Sequence, residues 1–446
     1  MEQQISKNRS KNYIKRLKGS FIFKGFAIFA SFLLIPLIIK YLGIEQYGIW
    51  STLLSIASWI ILFDIGIANG LRNKISESLA EENKLKTKHY ISTAYIILGI
   101  ISLLLILFFL IISEYISWQK VFNTISISNQ ELKYVVNITF VFLFLNFWIS
   151  IINQVFNGFQ KTSLVVFNQF LSNSFSLFTV FLLYKFCESS LIKLAIAYGI
   201  SLLFSSLILS IWFYKKNSEF IPKIIFFRVD YLKPILSLGF KFFILQIGVV
   251  VILISDKILI TQLFGPEYVT SYDVVFKFFS IISIAHGILL APLWSSYSDA
   301  YHRNDMEWIK KTIKNQLKIY LLIIAFTILL ALLSKPIIYI WIGKDFIIDN
   351  ILIVSIVLFI LVSCWNNIFA YFINSTNKLL IMTILVIFLS IINIPLSIVL
   401  VKFFNFGVEG IVFGTIISLL FGSFLAPIQT YHLIFKKEKV NSFWLR

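Results

Sequence analysis

Runs of about twenty predominantly apolar residues recur twelve times along this 446-residue chain, separated by short polar segments. An α-helix needs a run of about this length to cross roughly 30 Å of hydrocarbon. The runs are too long and too continuous for the alternating segments of about ten residues that build a membrane β-barrel. The pattern therefore predicts an all-α integral membrane protein with twelve transmembrane helices. The predicted spans are 19–40, 48–68, 91–113, 134–154, 164–185, 191–213, 240–262, 271–295, 317–341, 351–372, 379–401 and 408–430.

The composition agrees with a membrane protein. Hydrophobic residues make up 59% of the chain and charged residues 13%, so a soluble protein of this composition would expose a large apolar surface. The first apolar run is a full-length span rather than the short core of a signal peptide, and we expect it to be retained. Cys187 and Cys364 offer neither a disulfide framework nor metal-ligand spacing, and we expect no metal or bound cofactor.

Lysine and arginine residues are concentrated in alternate connections between the spans. Of the 39 cations, 28 lie on one side of the predicted membrane, which we call the basic side, and eight lie on the opposite side. Because Lys and Arg near membrane ends remain in the cytoplasm, we expect both termini to be cytoplasmic. This asymmetry accounts for most of the net charge of +18. It favours binding of anionic membrane lipids, and no nucleic-acid motif accompanies it.

The second half of the chain repeats features of the first. Gly43 and Gly265 each follow a span and precede an acidic residue, at an offset of 222 residues. Since each repeat holds six spans, both begin on the same side of the membrane and are parallel. The sequence predicts two six-helix lobes, 1–215 and 240–446, which a cytoplasmic linker, 216–239, joins around a central cavity. Such parallel repeats are typical of transporters.

Several motifs at helix ends are shared with a known family. They are "YLGIEQYGIW", "FDIGIANGLRN", "FNGFQKTS", "ISDKILITQLFGPEYVTSYDVVFK", "APLWSSYSDAYHRND" and "IIYIWIGKDF", spread from residue 41 to 346. These segments resemble the polysaccharide-transport branch of the multidrug/oligosaccharidyl-lipid/polysaccharide exporter superfamily, which contains the O-antigen repeat-unit flippases. The resemblance implies that the protein moves an undecaprenyl-pyrophosphate-linked oligosaccharide repeat unit, for O-antigen, capsule or exopolysaccharide, from the inner to the outer leaflet of the bacterial cytoplasmic membrane by alternating access.

The same resemblance implies an energy source and partners. The source is a proton or sodium gradient, or the membrane potential. The partners are the lipid-linked glycan, membrane lipids, and a polymerase and a chain-length regulator of the same pathway.

Two alternative functions stay open. A cation-coupled drug antiporter of the same superfamily also has twelve spans, although its helix-end motifs differ. An integral-membrane polysaccharide polymerase has many spans, but it usually carries Arg and His in large outer loops. The longest outer loop here, 114–133, has no histidine, and its only cations are Lys120 and Lys133. No P-loop or catalytic triad pattern is visible, so we expect a transporter rather than an enzyme.

Few ionisable residues lie within the spans, where a charge is unfavourable and usually functional. We predict that Lys24, Lys257 and Lys277 give the cavity a positive lining for pyrophosphate. Asp256 and Lys277 lie at similar depths on antiparallel helices, which makes an ion pair between them geometrically reasonable. In the alternative interpretation, Lys24 extends to the membrane interface and Asp273 pairs with Lys277 within one helix.

Neutral polar residues extend this predicted substrate-binding surface. Gln246 lies eleven residues before Lys257, which returns it to nearly the same helix face. Asn146 and Asn153 recur at an interval of seven in the fourth span. These side chains are predicted to hydrogen-bond sugar hydroxyls, or alternatively to hydrogen-bond across helices.

Two clusters at the basic ends of the second and eighth spans predict gate elements that cap helices and exchange ion pairs between states. They are Asp64, Asn69 and Arg72 in the first cluster, and Asp299 and Arg303 in the second. Pro36, inside the first span, removes a backbone hydrogen bond and predicts a bend that could act as a hinge.

Overall fold

The computed structural model describes residues 2–60, 67–343, 346, 348–376 and 378–435, and these residues form helices and no strand. For parts of the described helices, including residues 2–21 and 237–246, only the backbone is described. The chain divides into two compact units, Met1–Phe243 and Ile244–Arg446.

The first unit contains nine helices in its described part, followed by the start of a tenth helix that continues into the second unit. These are α1 (Glu2–Leu42), α2 (Ile44–Ser58), α3 (Ile67–Ala80), α4 (Lys84–Ser113), α5 (Trp118–Phe122), α6 (Asn129–Ile149), α7 (Ile151–Gly158), α8 (Thr162–Phe186), α9 (Leu191–Lys216) and α10 (Leu232–Leu263).

Seven further helices belong to the described part of the second unit. They are α11 (Pro266–Leu290), α12 (Leu293–His302), α13 (Met306–Leu332), α14 (Ser334–Trp341), α15 (Asn350–Ser375), α16 (Leu380–Lys402) and α17 (Val408–Phe435).

Ten helices in the described part of the chain are long and apolar enough to cross a membrane. The predicted second span falls on α2 and α3, and residues 61–66 between them lie outside the described part. The predicted seventh span falls on α10. The predicted ninth span, 317–341, is wrong in its bounds, because α13 begins at Met306 and ends before a break at Leu333. A helix can extend beyond its apolar run because its backbone hydrogen bonds do not depend on side-chain polarity.

Glycines start corresponding helices in the two units. Gly43 precedes α2 with φ of +84°, and Gly265 precedes α11 with φ of +114°. L-amino acids with a side chain rarely adopt such values, so glycine is required at both turns. The two residues that the predicted repeat aligns therefore have the same backbone role.

Each unit has a buried apolar core at its basic end. In the first unit, Leu71 of α3, Ile152 of α7 and Phe213 of α9 belong to one cluster. In the second unit, Tyr297 of α12 and Phe372 of α15 belong to a comparable cluster. These cores fix the short helices that follow the second and eighth predicted spans.

The segment 217–231, which we call the docked segment, lies against α4. It lies inside the predicted linker and within the first unit. The Lys223 backbone N–H donates to Ser92 Oγ at 3.2 Å, and the Arg228 backbone N–H donates to Thr93 Oγ1 at 3.2 Å. His89 Nδ1 lies 2.8 Å from the Phe226 carbonyl oxygen. Three polar side chains of one helix thus fix the backbone of this segment.

Candidate functional site

An ion pair lies between α10 and α11 in the second unit. Lys257 Nζ is 2.5 Å from Asp273 Oδ1, and the Asp273 side chain is almost fully buried. Asp273 follows the start of α11 by seven residues, and Lys257 precedes the end of α10 by six. At about 1.5 Å per residue, both lie roughly 10 Å from the helix ends opposite the basic side. The two helices therefore hold opposite charges at one depth.

Asp256, the neighbour of Lys257, has a different environment. It is only 3% exposed. Its Oδ1 accepts a hydrogen bond from Thr415 Oγ1 at 2.9 Å, and its Oδ2 accepts one from Tyr272 OH at 3.2 Å. Both partners are neutral hydroxyls, so among the described residues this buried carboxyl group has no cation as a hydrogen-bond donor.

Asn393 of α16 extends this network. Its Nδ2 donates to Thr415 Oγ1 at 3.2 Å and to Ser418 Oγ at 3.4 Å. Its Oδ1 lies 3.5 Å from Ser255 Oγ. The network thus connects α10, α11, α16 and α17 around Asp256. Neither Asn393 nor Thr415 was predicted; a polar residue within an apolar span was the only sequence signal for either.

The predicted ion pair of Lys277 with Asp256 is wrong, and the alternative partner Asp273, one turn away on α11, acts on Lys277 electrostatically without a contact pair among the described residues. Among the described residues, Lys277 has no carboxylate within ion-pair distance, because Asp273 binds Lys257 and Asp256 binds hydroxyls. The positive charge of Lys257 is compensated by Asp273, which weakens its predicted part in a positive lining. Lys277 lies one helical turn deeper than Asp273, about 16 Å along α11 from its start.

A neutral network occupies the interior of the first unit. Asn168 Nδ2 donates to Asn153 Oδ1 at 3.0 Å and lies 3.3 Å from Ser206 Oγ. Ser206 Oγ in turn lies 3.5 Å from Asn146 Oδ1. Asn146 and Asn153 therefore make the interhelical hydrogen bonds of the alternative interpretation. Asn168, which connects them, was missed.

Two further predicted binding residues are placed differently. Lys24 is exposed on α1, within the first turn of the candidate span Ile22–Leu42, a position that also suits the interface. The side chain of Gln246 lies outside the described part, and its backbone belongs to α10. Their roles in binding stay predictions.

The predicted gate residues lie on or next to the short helices α3 and α12. Asp64 and the Asn69 side chain lie outside the described part, and Arg72 is exposed. Asp299 of α12 and Arg303, the residue that follows this helix, form an exposed pair, with Oδ1 and Nε 2.8 Å apart. This pair caps one helix, so exchange with another partner stays a prediction.

An ion pair on α3 and a proline in α1 lie on the helices that carry further predicted gate and hinge residues. On α3, the hydrogen bond from Lys74 Nζ to the Glu77 carboxylate, 2.6 Å long, lowers the pKa of Glu77 below its usual value. On α1, the helix continues through Pro36 without interruption. The predicted hinge stays a prediction.

The opposite end of the first unit carries a tethered loop. Glu45, in the first turn of α2, accepts hydrogen bonds from Thr124 Oγ1 and Ser126 Oγ, each at 2.6 Å. Tyr41 OH donates to the Glu188 carbonyl oxygen at 2.9 Å. Both contacts hold connections at this end of the unit against the α1–α2 turn.

With these features in place, comparison with known proteins identifies the family. A family described as polysaccharide biosynthesis protein matches residues 20–294, more than half of the chain. The chain belongs to this family. The resemblance found in the helix-end motifs is confirmed, as is the expected all-α membrane fold.

Two bacterial relatives of this polysaccharide biosynthesis family member align over nearly their whole length. A protein of Yersinia pseudotuberculosis, whose name assigns it to O-antigen export, is 25% identical over 88% of this chain and 90% of its own. A protein of Salmonella typhimurium, whose name assigns it to O-antigen transport, is 27% identical over 89% and 91%. The expectation of a membrane transporter rather than an enzyme is confirmed.

Solved transporter structures share the fold. An inward-facing multidrug resistance MATE family transporter of the MOP superfamily gives a TM-score of 0.78 at 15% identity, covering 91% of this chain and 95% of its own. An outward-facing structure of such a transporter gives 0.64 at 14% identity, covering 95% and 97%. Identities this low establish only the fold. The twelve-helix, two-lobe layout is consistent with that fold.

Proposed function

We propose that this protein is a flippase for an undecaprenyl-pyrophosphate-linked oligosaccharide repeat unit. It moves the unit by alternating access from the inner to the outer leaflet of a bacterial cytoplasmic membrane. The observation that carries the proposal is family membership, joined to relatives named for O-antigen export that align over about nine-tenths of their own length. Both termini are proposed to be cytoplasmic.

The charged network of the second unit supports coupling to an ion gradient. Asp256 is a buried carboxyl group held by two hydroxyls, and loss or gain of a proton or sodium ion there would change the charge of the unit's interior. Buried charge in a membrane is unfavourable, so such a change favours a different conformation. We assign the coupling role to Asp256 rather than to Asp273, whose charge Lys257 compensates.

Lys277 is the better candidate for contact with pyrophosphate. It has no ion pair among the described residues, and an ammonium within hydrocarbon depth is stabilised by a transient anionic partner. Lys257 would first have to release Asp273. We therefore expect Lys277→Ala to lower export, with Lys277→Arg restoring part of it because the charge matters more than the shape.

The test uses purified protein in liposomes that carry a fluorescent lipid-linked repeat unit. The proposal expects the unit to become accessible at the opposite leaflet with wild type, and much more slowly with Lys277→Ala at equal protein content. Glu307→Gln, which changes only the exposed pair of Glu307 with Lys310 near the start of α13, is the control. Transfer at the rate of protein-free liposomes would contradict the proposal.

The MATE neighbours keep a cation-coupled drug antiporter as the second candidate. The same liposomes, loaded with a cationic dye under a proton or sodium gradient, separate the two functions. Gradient-driven dye movement without movement of the repeat unit would favour the antiporter. Asp256→Asn should abolish the gradient dependence in either case, since it retains the size of the side chain and removes its charge.

A further inference from the structure

A groove on the first unit has the dimensions and charge of a lipid site. It has a volume of about 440 Å³ and lies between α4, α6 and the docked segment. Its walls include Ile96, Ile100 and Leu103 of α4 and Leu145 of α6. The lining is almost wholly apolar, and Lys223 and Ile224 of the docked segment lie at one end.

The groove covers about half the depth of a membrane. Its α4 residues run from Tyr95 to Ile106, eleven residues apart, which corresponds to about 16 Å along the helix. The hydrocarbon layer is about 30 Å thick, and Tyr95 lies four residues inside the predicted span 91–113, so the groove begins near the basic end of that span and extends to just past its middle. The acyl chain of a lipid in one leaflet fits this depth. A lipid that is carried across the membrane would instead need a path through both leaflets.

The wall between α4 and α6 is ordered by contacts that keep the groove open. Trp148 Nε1 donates to the Tyr95 carbonyl oxygen at 2.8 Å, which fixes the indole of α6 against α4. Gly99 faces that indole, and a Cβ atom added there would meet Trp148 Nε1 at 3.0 Å. A residue without a side chain therefore allows the indole to lie at the surface of the groove.

The open end of the groove is basic and interfacial. Residues 215–233 contain five cations and two acids, and one of the acids, Glu219, pairs with Lys84 at 3.0 Å. On the docked segment, Ile224 is 81% exposed beside the exposed Lys223. Exposed apolar side chains next to cations, on a segment held against a membrane helix, are typical of a membrane interface.

From these observations we propose that the groove binds a phospholipid with an anionic headgroup from the leaflet on the basic side. One acyl chain occupies the apolar groove, and the phosphate lies near Lys223 at its end. Charge complementarity selects the headgroup, because each Lys or Arg near an anionic lipid surface contributes attraction. This lipid site lies on the surface of the first unit, and the proposal does not depend on which substrate is transported.

The test measures lipid retention by native mass spectrometry on the delipidated full-length protein. The protein is titrated separately with phosphatidylglycerol, phosphatidylcholine and undecaprenyl phosphate. Wild type is expected to retain one phosphatidylglycerol at lower lipid concentration than phosphatidylcholine. Equal retention of these two lipids would overturn the charge-selected site, and preferred retention of undecaprenyl phosphate would show that the groove serves the carrier lipid instead.

Two pairs of variants locate the site. Leu103→Trp fills the groove, whereas Leu104→Trp adds the same side chain at the next position of α4, which does not line it; Leu103 and Leu104 are 59% and 58% exposed. Lys223→Gln removes the charge at the groove end, and Lys215→Gln is its control. Loss of the retained phosphatidylglycerol is expected in Leu103→Trp, with an approximately fivefold weaker retention in Lys223→Gln. Unchanged retention in Leu103→Trp and Lys223→Gln would overturn the proposal, and so would equal loss in the controls.

Discussion

The polar groups buried between helices differ in kind between the two units. In the first unit, Asn168, Asn153 and Ser206 form a network of amides and a hydroxyl. In the second unit, the network contains Asp256, and the Lys257–Asp273 ion pair adjoins it. A neutral network can hold helices together in every state, whereas a charged one responds to protons, ions and anionic ligands.

The predicted repeat makes this difference more specific. The offset of 222 residues that relates Gly43 to Gly265 also aligns the residues of the buried network and ion pair with positions in the first unit. The aligned pairs are Asp256 with Leu34, Lys257 with Ile35, and Asp273 with Ser51. The backbone turn is thus shared, whereas these three charges are not. Ion response is therefore expected of the second unit alone.

The largest effect is expected from breaking the buried ion pair. Asp273→Asn removes the buried carboxylate that pairs with Lys257, which should destabilise the protein by about 3–5 kcal/mol and lower its melting temperature in detergent. The double variant Lys257→Gln with Asp273→Asn should recover most of that loss, because no charge then remains at the pair. Intrinsic tryptophan fluorescence during heating measures both.

An exposed pair provides the control for this prediction. Lys310 and Glu307 lie 2.6 Å apart on α13, with Glu307 largely exposed. Glu307→Gln should therefore change stability by less than about 1 kcal/mol. If Asp273→Asn lowered the melting temperature no more than Glu307→Gln, the buried pair would not contribute to stability. The contrast between a charged network in the second unit and a neutral one in the first would then have no energetic basis.

An intermediate effect is expected at the aligned acids Glu45 and Glu267. Glu45 accepts two hydroxyl hydrogen bonds from the loop at Thr124 and Ser126, whereas the exposed Glu267 makes no hydrogen bond from its side chain among the described residues. Glu45→Gln should cost about 1.5 kcal/mol and speed proteolysis between residues 123 and 128, because hydrogen bonds to a charged acceptor are the stronger ones. Glu267→Gln should leave proteolysis unchanged, and the opposite order would show that the loop is held by other contacts.

The smallest effect on stability is expected from the interhelical amides. Asn168→Ala and Asn393→Ala should each cost about 0.6 kcal/mol, the average for such hydrogen bonds in a membrane. Their effects on export should differ, since Asn393 contacts the Thr415 hydroxyl that donates to Asp256. Export assays at matched protein levels should show a loss for Asn393→Ala only. Equal losses would mean that the two networks have the same role.

The sequence predicted the helices and the depth of the charges but not which residues pair. Asp256 and Lys257 are adjacent and so point about 100° apart around α10. Their similar depth made Asp256 and Lys277 a reasonable pair. The rotation of α10 and α11 about their own axes instead places Lys257 against Asp273. Rotation of a helix about its axis depends on packing against all its neighbours, which a nearly continuous apolar run does not reveal.

Neutral partners were harder to predict than charged ones. Thr415 and Asn393 come from helices more than a hundred residues beyond Asp256, and only the fold brings them together. By contrast, the sequence repeat matched Gly43 with Gly265, and the structure gives both residues the same backbone role, because backbone conformation is a local property. Local signals were thus read correctly where long-range ones were not.

The docked segment has a consequence for the order of assembly during synthesis. Ser92 and Thr93 of α4 are made more than 120 residues before Lys223 and Arg228, the residues whose backbone they bind. During translation these hydroxyls have no docked segment to bind until the ribosome has passed residue 228. Until then, water at the membrane interface can form their hydrogen bonds. The first unit is therefore expected to complete its fold only when the start of α10 is already being made, so that a nascent chain released at residue 215 would end before the unit could close.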